Sequence, residues 1–104
     1  MLKRTSIKSI NKKLVENPSW NILDIGCGYT ANENAKIVAD VQDLSNFYKT
    51  KKFVRIKEKK LPFKDNEFDF VISSHVIEHV EDFQFFISEI ERITKQGYIE
   101  LPTR

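Results

Sequence analysis

Residues 21–28 read Asn-Ile-Leu-Asp-Ile-Gly-Cys-Gly. The run Asn21 to Ile25 is short and apolar, and it stops at Gly26-Cys27-Gly28. A buried strand feeding a tight turn behaves this way. Glycines there permit positive φ and let the backbone approach a ligand with no Cβ in the way. A dinucleotide, a nucleoside or a purely structural turn would suit Gly-x-Gly equally well. The dinucleotide pattern asks for a third glycine where this chain has Ala31. Asp24, two residues before the first glycine, is more telling. A carboxylate there would repel a pyrophosphate and suit an ammonium or sulfonium group. The alternative is a carboxylate that caps the turn's own amides.

Working outward, segment types alternate. Ile7, Ile10 and Leu14 recur at helical spacing in a basic segment that Asn17-Pro18 ends, predicting a helix over about residues 5–16. Lys36 to Val41 reads as a second strand, and Asp43 to Lys49 as a short helix or turn. Phe53 to Ile56 is a third strand. Phe68 to Ser73, rich in aromatic and β-branched residues, is a fourth. Phe83, Phe86, Ile87 and Ile90 then fit one helix face, with Glu81, Glu89, Glu91 and Arg92 on the other. Asp82 suits an N-cap and Gly97 a C-terminal stop. Tyr98 to Leu101 forms a fifth strand, ended by Pro102. Strands joined by crossovers predict an α/β domain with a mostly parallel sheet covered on both faces. We read residues 1–104 as one domain with its core over about residues 20–102. A last strand so close to the end predicts a chain incomplete at its C-terminus, or a homodimer that covers the exposed sheet edge.

Bulk properties narrow the class. A 40% hydrophobic and 31% charged composition is that of a globular domain, not a disordered chain. No apolar run approaches the ~20 residues that span a bilayer, so no membrane partner is expected. A single cysteine, Cys27, and no secretory h-region give a cytoplasmic expectation. Lys49, Lys51, Lys52, Arg55, Lys57, Lys59 and Lys60 fall within twelve residues, opposed only by Glu58. Such a run could track phosphates, but only Phe53 could stack on a base and no helix-turn-helix or zinc-finger spacing accompanies it. We read it as a solvated surface and do not expect nucleic acid.

Four ordered motifs carry a family resemblance over roughly residues 20–102. Ile22 to Gly28 resembles the first motif of class I, Rossmann-like S-adenosylmethionine-dependent methyltransferases. Asp40 falls where that family places an acid on the ribose hydroxyls. Leu61-Pro62-Phe63 and the stretch Asn66 to Val80 resemble the "LPF…FDvV…hvLeH" run of its small-molecule subgroup, and Gly97 to Pro102 its next strand. The resemblance implies a three-layer αβα fold with strand order about 3-2-1-4-5. It also implies S-adenosylmethionine as cofactor and methyl transfer to a small-molecule acceptor. By the same resemblance Gly26, Cys27 and Gly28 give backbone contacts to the amino acid moiety, and Asp24 organises its ammonium. Asp40 accepts both ribose hydroxyls, its neighbour Val41 also meets the cofactor, Leu61 packs near the adenine, and Ser74 and His75 lie beside the methionine portion. Two departures stand out. Asp40 follows Gly28 by only twelve residues, which leaves little room for the usual crossover helix. Lys57 stands where the family usually has an acid for the adenine amino group, and lysine offers no acceptor, so the substitute is either Glu58 or the neighbouring backbone.

His75-Val76-Ile77-Glu78-His79 also fits H-x-x-E-H, an inverted zinc-protease pattern. It needs a third ligand and a helix on both sides, whereas His75 directly follows a strand. We expect no metal site and rank zinc hydrolysis last. His75 and His79 are the candidates for a general base where an acceptor must lose a proton. Cys27 reads as a small residue fitting the turn, and Trp20 and the phenylalanines as core. The rival function is a cofactor-binding module without turnover of its own.

Overall fold

The structure, a computed structural model, describes residues 7–73 and 83–99. Its elements run α1 (Ile7–Glu16), β1 (Ile22–Ile25), β2 (Ile37–Asp40), β3 (Lys52–Arg55), β4 (Phe70–Ser73), α2 (Phe83–Ile93) and β5 (Gly97–Ile99). All strand pairs are parallel, in the order β3-β2-β1-β4-β5. That is the Rossmann-like α/β order implied by the motifs.

Alternation along the strands explains the three layers, because successive side chains point to opposite faces. Ile22, Val38, Phe70, Ile72 and Tyr98 pack with Ile10 and Leu14 of α1 on one face. Leu23, Ile25, Ala39 and Val71 pack with Ile90 and Ile93 of α2 on the other. A sheet covered on both sides needs strands apolar throughout, and β1 and β4 are buried at every position. Asp24 and Asp40 fall by the same alternation on the α1 face. Asp43 to Lys49 is a turn, with the Phe47 and Tyr48 amides both donating to the Leu44 carbonyl. Among the described residues, no helix is long and apolar enough to cross a membrane.

The structure corrects two local expectations about α2. The helix ends at Ile93, before Gly97, which instead opens β5. Thr94 makes the stop. Its hydroxyl lies 3.1 Å from the Phe68 carbonyl and 2.8 Å from the Gln96 carbonyl, which share its one proton, and the chain forms a bridge with Phe68. A side chain that bonds backbone outside the helix competes with the helical ladder, and here it wins. The other correction concerns Glu89 and Arg92, expected on the solvent face. Glu89 is buried and Arg92 half-buried, because both reach over the Leu61-Pro62-Phe63 turn. The Leu61 amide donates to Glu89 Oε1 at 2.7 Å. The guanidinium donates to the Leu61 and Phe63 carbonyls, to both Glu89 oxygens and to Asp65. Next along, Asn66 takes a φ of 54°, which asparagine tolerates, and its amide donates to the Arg92 carbonyl.

Candidate functional site

In an open parallel sheet the carboxyl ends of the strands form the usual ligand edge, and the glycine turn sits there between β1 and β2. Gly26 and Gly28 have φ of 72° and 52°, values that glycine adopts without strain. The amides of Gly26 and Cys27 both donate to the Ala39 carbonyl, at 2.7 and 3.2 Å, so the turn hangs on β2. A Cβ built on Gly28 would meet nothing within 4 Å, so open space borders the backbone there.

Asp40 ends β2 beside that space and is 8% exposed. Its Oδ2 accepts from the Gly28 amide at 2.9 Å and its Oδ1 from the Gln42 amide at 3.0 Å. A carboxylate has about four lone-pair sites, so two remain for hydroxyl donors. Val41 follows, apolar yet 55% exposed on the same rim. Its carbonyl accepts from Arg55 Nε, and the Asp40 carbonyl from the Ile56 amide, which ties the rim to β3.

Asp24 is fully buried, and its Oδ2 accepts from the Asn32 amide at 2.7 Å. Asn32 in turn donates to Asn11 of α1 and accepts from the Asn34 amide. Residues 29–36 thus cross to β2 without a helix, held by side chains. Tyr48 contributes from the opposite direction: its hydroxyl donates to the Gly28 carbonyl at 2.5 Å and accepts from the Ala31 amide at 3.2 Å.

Cys27 is fully buried in the turn. Burial, eased in part by the Tyr48 hydroxyl and reinforced by Asp24 and Asp40, pushes its thiol up to about 11 from 9.0. A neutral thiol at physiological pH is no nucleophile. The raised value means the folded chain holds this proton longer than the unfolded chain. The associated stability is therefore complete below pH 9 and lost as pH rises toward 11. Denaturant midpoints measured between those limits should fall with pH, and Cys27→Ala should flatten that fall. An equal slope in both proteins would contradict the assignment.

Lys57 and Glu58 are exposed beyond β3. Lys57 and Arg55 lie near enough to Asp43 to help lower its carboxyl, after the hydrogen bonds from Ser45. Leu61 is 3% exposed and packs in the core with Phe68 and Ile90. Ser74, His75 and His79 lie outside the described residues, as does the H-x-x-E-H pattern. Among the described residues no group of His, Cys, Asp and Glu could hold a metal. A recess of about 450 Å³ lined by Leu14, Pro18, Ile22, Lys36 and Thr50 lies at the opposite, amino-terminal end of the strands. Sequence reasoning missed Tyr48 and Asn32. The Asn-Glu-Asn spacing of residues 32–34 was a turn signal for the second, and nothing local marked the first.

Comparison with known proteins concerns the domain as a whole. A family model described as a methyltransferase domain matches residues 23–99. Uncharacterized protein MJ0638 of Methanocaldococcus jannaschii is 34% identical over 96 residues, covering 86% of this chain and 42% of that protein. MJ1123 of the same organism is 33% identical over 86 residues, covering 77% and 42%. The chain therefore spans about two-fifths of the length of the curated relatives it matches. A solved SAM-dependent methyltransferase from Aquifex aeolicus superposes with TM-score 0.63 at 20% identity, covering 84% of this chain and 57% of that one. Another, from Mesorhizobium loti, gives 0.64 at 22%, covering 84% and 47%. At these identities the solved structures establish the fold.

Proposed function

The chain belongs to the methyltransferase domain family, and from that premise we propose that its glycine rim seats S-adenosylmethionine for methyl transfer to a small-molecule acceptor. The family match and the names of the structural neighbours support that cofactor. The observation that carries the reading is Asp40: a carboxylate at the end of β2, bonded to Gly28 beside open space, with acceptor capacity left for two ribose hydroxyls. The residues fit the group in other respects. Gly26 and Gly28 offer backbone without side chains, and Val41 offers apolar surface for a purine.

When bound, the cofactor supplies a methyl group already activated by its sulfonium. The chain's own work is then to orient, to exclude water and to keep charges in place. Asp40 anchors one end and fixes the glycine turn with the same carboxylate. Asp24 acts at one remove, setting the crossover through Asn32. Where the acceptor must lose a proton, His75 and His79 are the candidate bases. A cytoplasmic site of action accords with the lone buried thiol.

Isothermal titration calorimetry with S-adenosylmethionine and S-adenosylhomocysteine tests the proposal. Micromolar binding of both supports it. No heat with either ligand would remove the cofactor role from this chain.

A further inference from the structure

The crossover from β1 to β2 lacks a helix, yet its amides and carbonyls must still be fixed for the turn to accept a ligand. Two anchors divide that task. The distal half is tied through Asn32, which links Asp24 of β1 to Asn11 of α1. The proximal half, Gly28 to Ala31, is tied by the Tyr48 hydroxyl, donor to one carbonyl and acceptor from one amide. Within that half the Thr30 amide also donates to the Cys27 carbonyl at 3.2 Å.

Tyr48 is itself well held. Its amide donates to the carbonyl of Leu44, which is buried. Its ring meets Phe47 edge-on at 4.9 Å and stacks on Phe53 at 6.3 Å. Tyr29, inside the crossover, meets Phe47 edge-on at 5.0 Å, so the aromatic row runs from β3 to the turn. Burial pushes the phenol above its ordinary value, and the proton donated to Gly28 stays in place across the neutral range.

We infer that Tyr48 is a positioning residue for cofactor binding, its hydroxyl holding the glycine turn in the accepting shape that a crossover helix would otherwise impose. The inference rests on the glycine rim being the cofactor seat. Asp40 holds the Gly28 amide while Tyr48 holds the Gly28 carbonyl, so one peptide plane on each side of this glycine is fixed. Loss of the hydroxyl frees one of them and leaves the ring packing intact.

The test compares the wild-type chain with Tyr48→Phe and Tyr48→Leu. Amide hydrogen exchange, which needs no cofactor, reads the Ala31 amide against those of Leu23 and Ile72 in the strands. Calorimetry with S-adenosylhomocysteine reads affinity. Tyr48→Phe should speed exchange at Ala31 at least tenfold, leave Leu23 and Ile72 unchanged, and weaken binding about tenfold. Tyr48→Leu should bind no worse than twofold below Tyr48→Phe, while also loosening the strand amides. Unchanged exchange at Ala31 in Tyr48→Phe would overturn the inference. So would wild-type affinity in Tyr48→Phe with loss only in Tyr48→Leu, which would make the ring's packing the cause. If the wild type binds neither ligand, the cofactor reading fails and takes the positioning role with it; altered exchange would then mark Tyr48 as a turn anchor alone.

Discussion

Asp40→Ala should weaken S-adenosylhomocysteine binding at least a hundredfold while leaving the chain folded at 25 °C. Hydrogen bonds to a charged acceptor contribute about 1.5–3 kcal/mol each, so losing two costs roughly 3–6 kcal/mol, or about two to four decades in affinity. The same change strips partners from the Gly28 and Gln42 amides. Both residues sit at least partly in water, which replaces the lost bonds at about 1 kcal/mol each. Asp40→Asn keeps one carbonyl oxygen and should fall between the two. Calorimetry gives the affinities and circular dichroism the fold. Binding by Asp40→Ala within threefold of wild type would refute the ribose anchor.

Arg92→Ala should destabilise the chain by about 2–4 kcal/mol. The guanidinium satisfies two carbonyls and two carboxylates, and Glu89 beneath it is 6% exposed. Removing one partner of a buried pair typically costs ~3–5 kcal/mol, because the other charge is left desolvated. The Arg92 side chain is 23% exposed, so water reaches the gap and the lower range applies. For a domain of this size the loss corresponds to roughly 10–25 °C in Tm. Arg92 holds the carboxyl of Glu89 below its ordinary value of 4.5. That stabilisation is present above pH 4.5 and is lost as pH falls through the folded value. The double variant Glu89→Leu/Arg92→Ala should be more stable than Arg92→Ala alone, since no charge is then stranded. A Tm for Arg92→Ala within about 3 °C of wild type would show the clamp to be ornamental.

These two predictions differ in how far sequence could anticipate them. The place of Asp40 at the end of β2 was legible because it closes an apolar run within an ordered set of motifs. The central strands β1 and β4 were legible from apolar runs punctuated by glycine and polar turns, since strands buried on both faces show themselves as continuous apolar segments. Helix α2 was legible in its core face, where Ile90 is fully buried. Its end was not, because Thr94 stops it through a bond to Phe68, twenty-six residues earlier. Glu89 and Arg92 were misread for a similar reason. Helical periodicity assigns charged residues to water, and only the folded turn at Leu61 to Phe63 supplies the carbonyls and amide that bring them in. Leu61, which the resemblance sets near the adenine, is buried with Phe68 and with Ile90 of α2. Tyr48 left no trace in any local pattern; the bonds it makes span seventeen and twenty residues of chain. Side-chain bonds to distant backbone are the part of a site that periodicity and spacing do not encode.

The most direct test of the account is to titrate the isotopically labelled chain with S-adenosylhomocysteine and follow its backbone amides by NMR. Saturable shifts are expected at Gly26, Gly28 and Val41, grouped at the carboxyl ends of β1 and β2. No shifts, or shifts confined to the recess around Leu14, Ile22 and Thr50 at the other end of the strands, would contradict it.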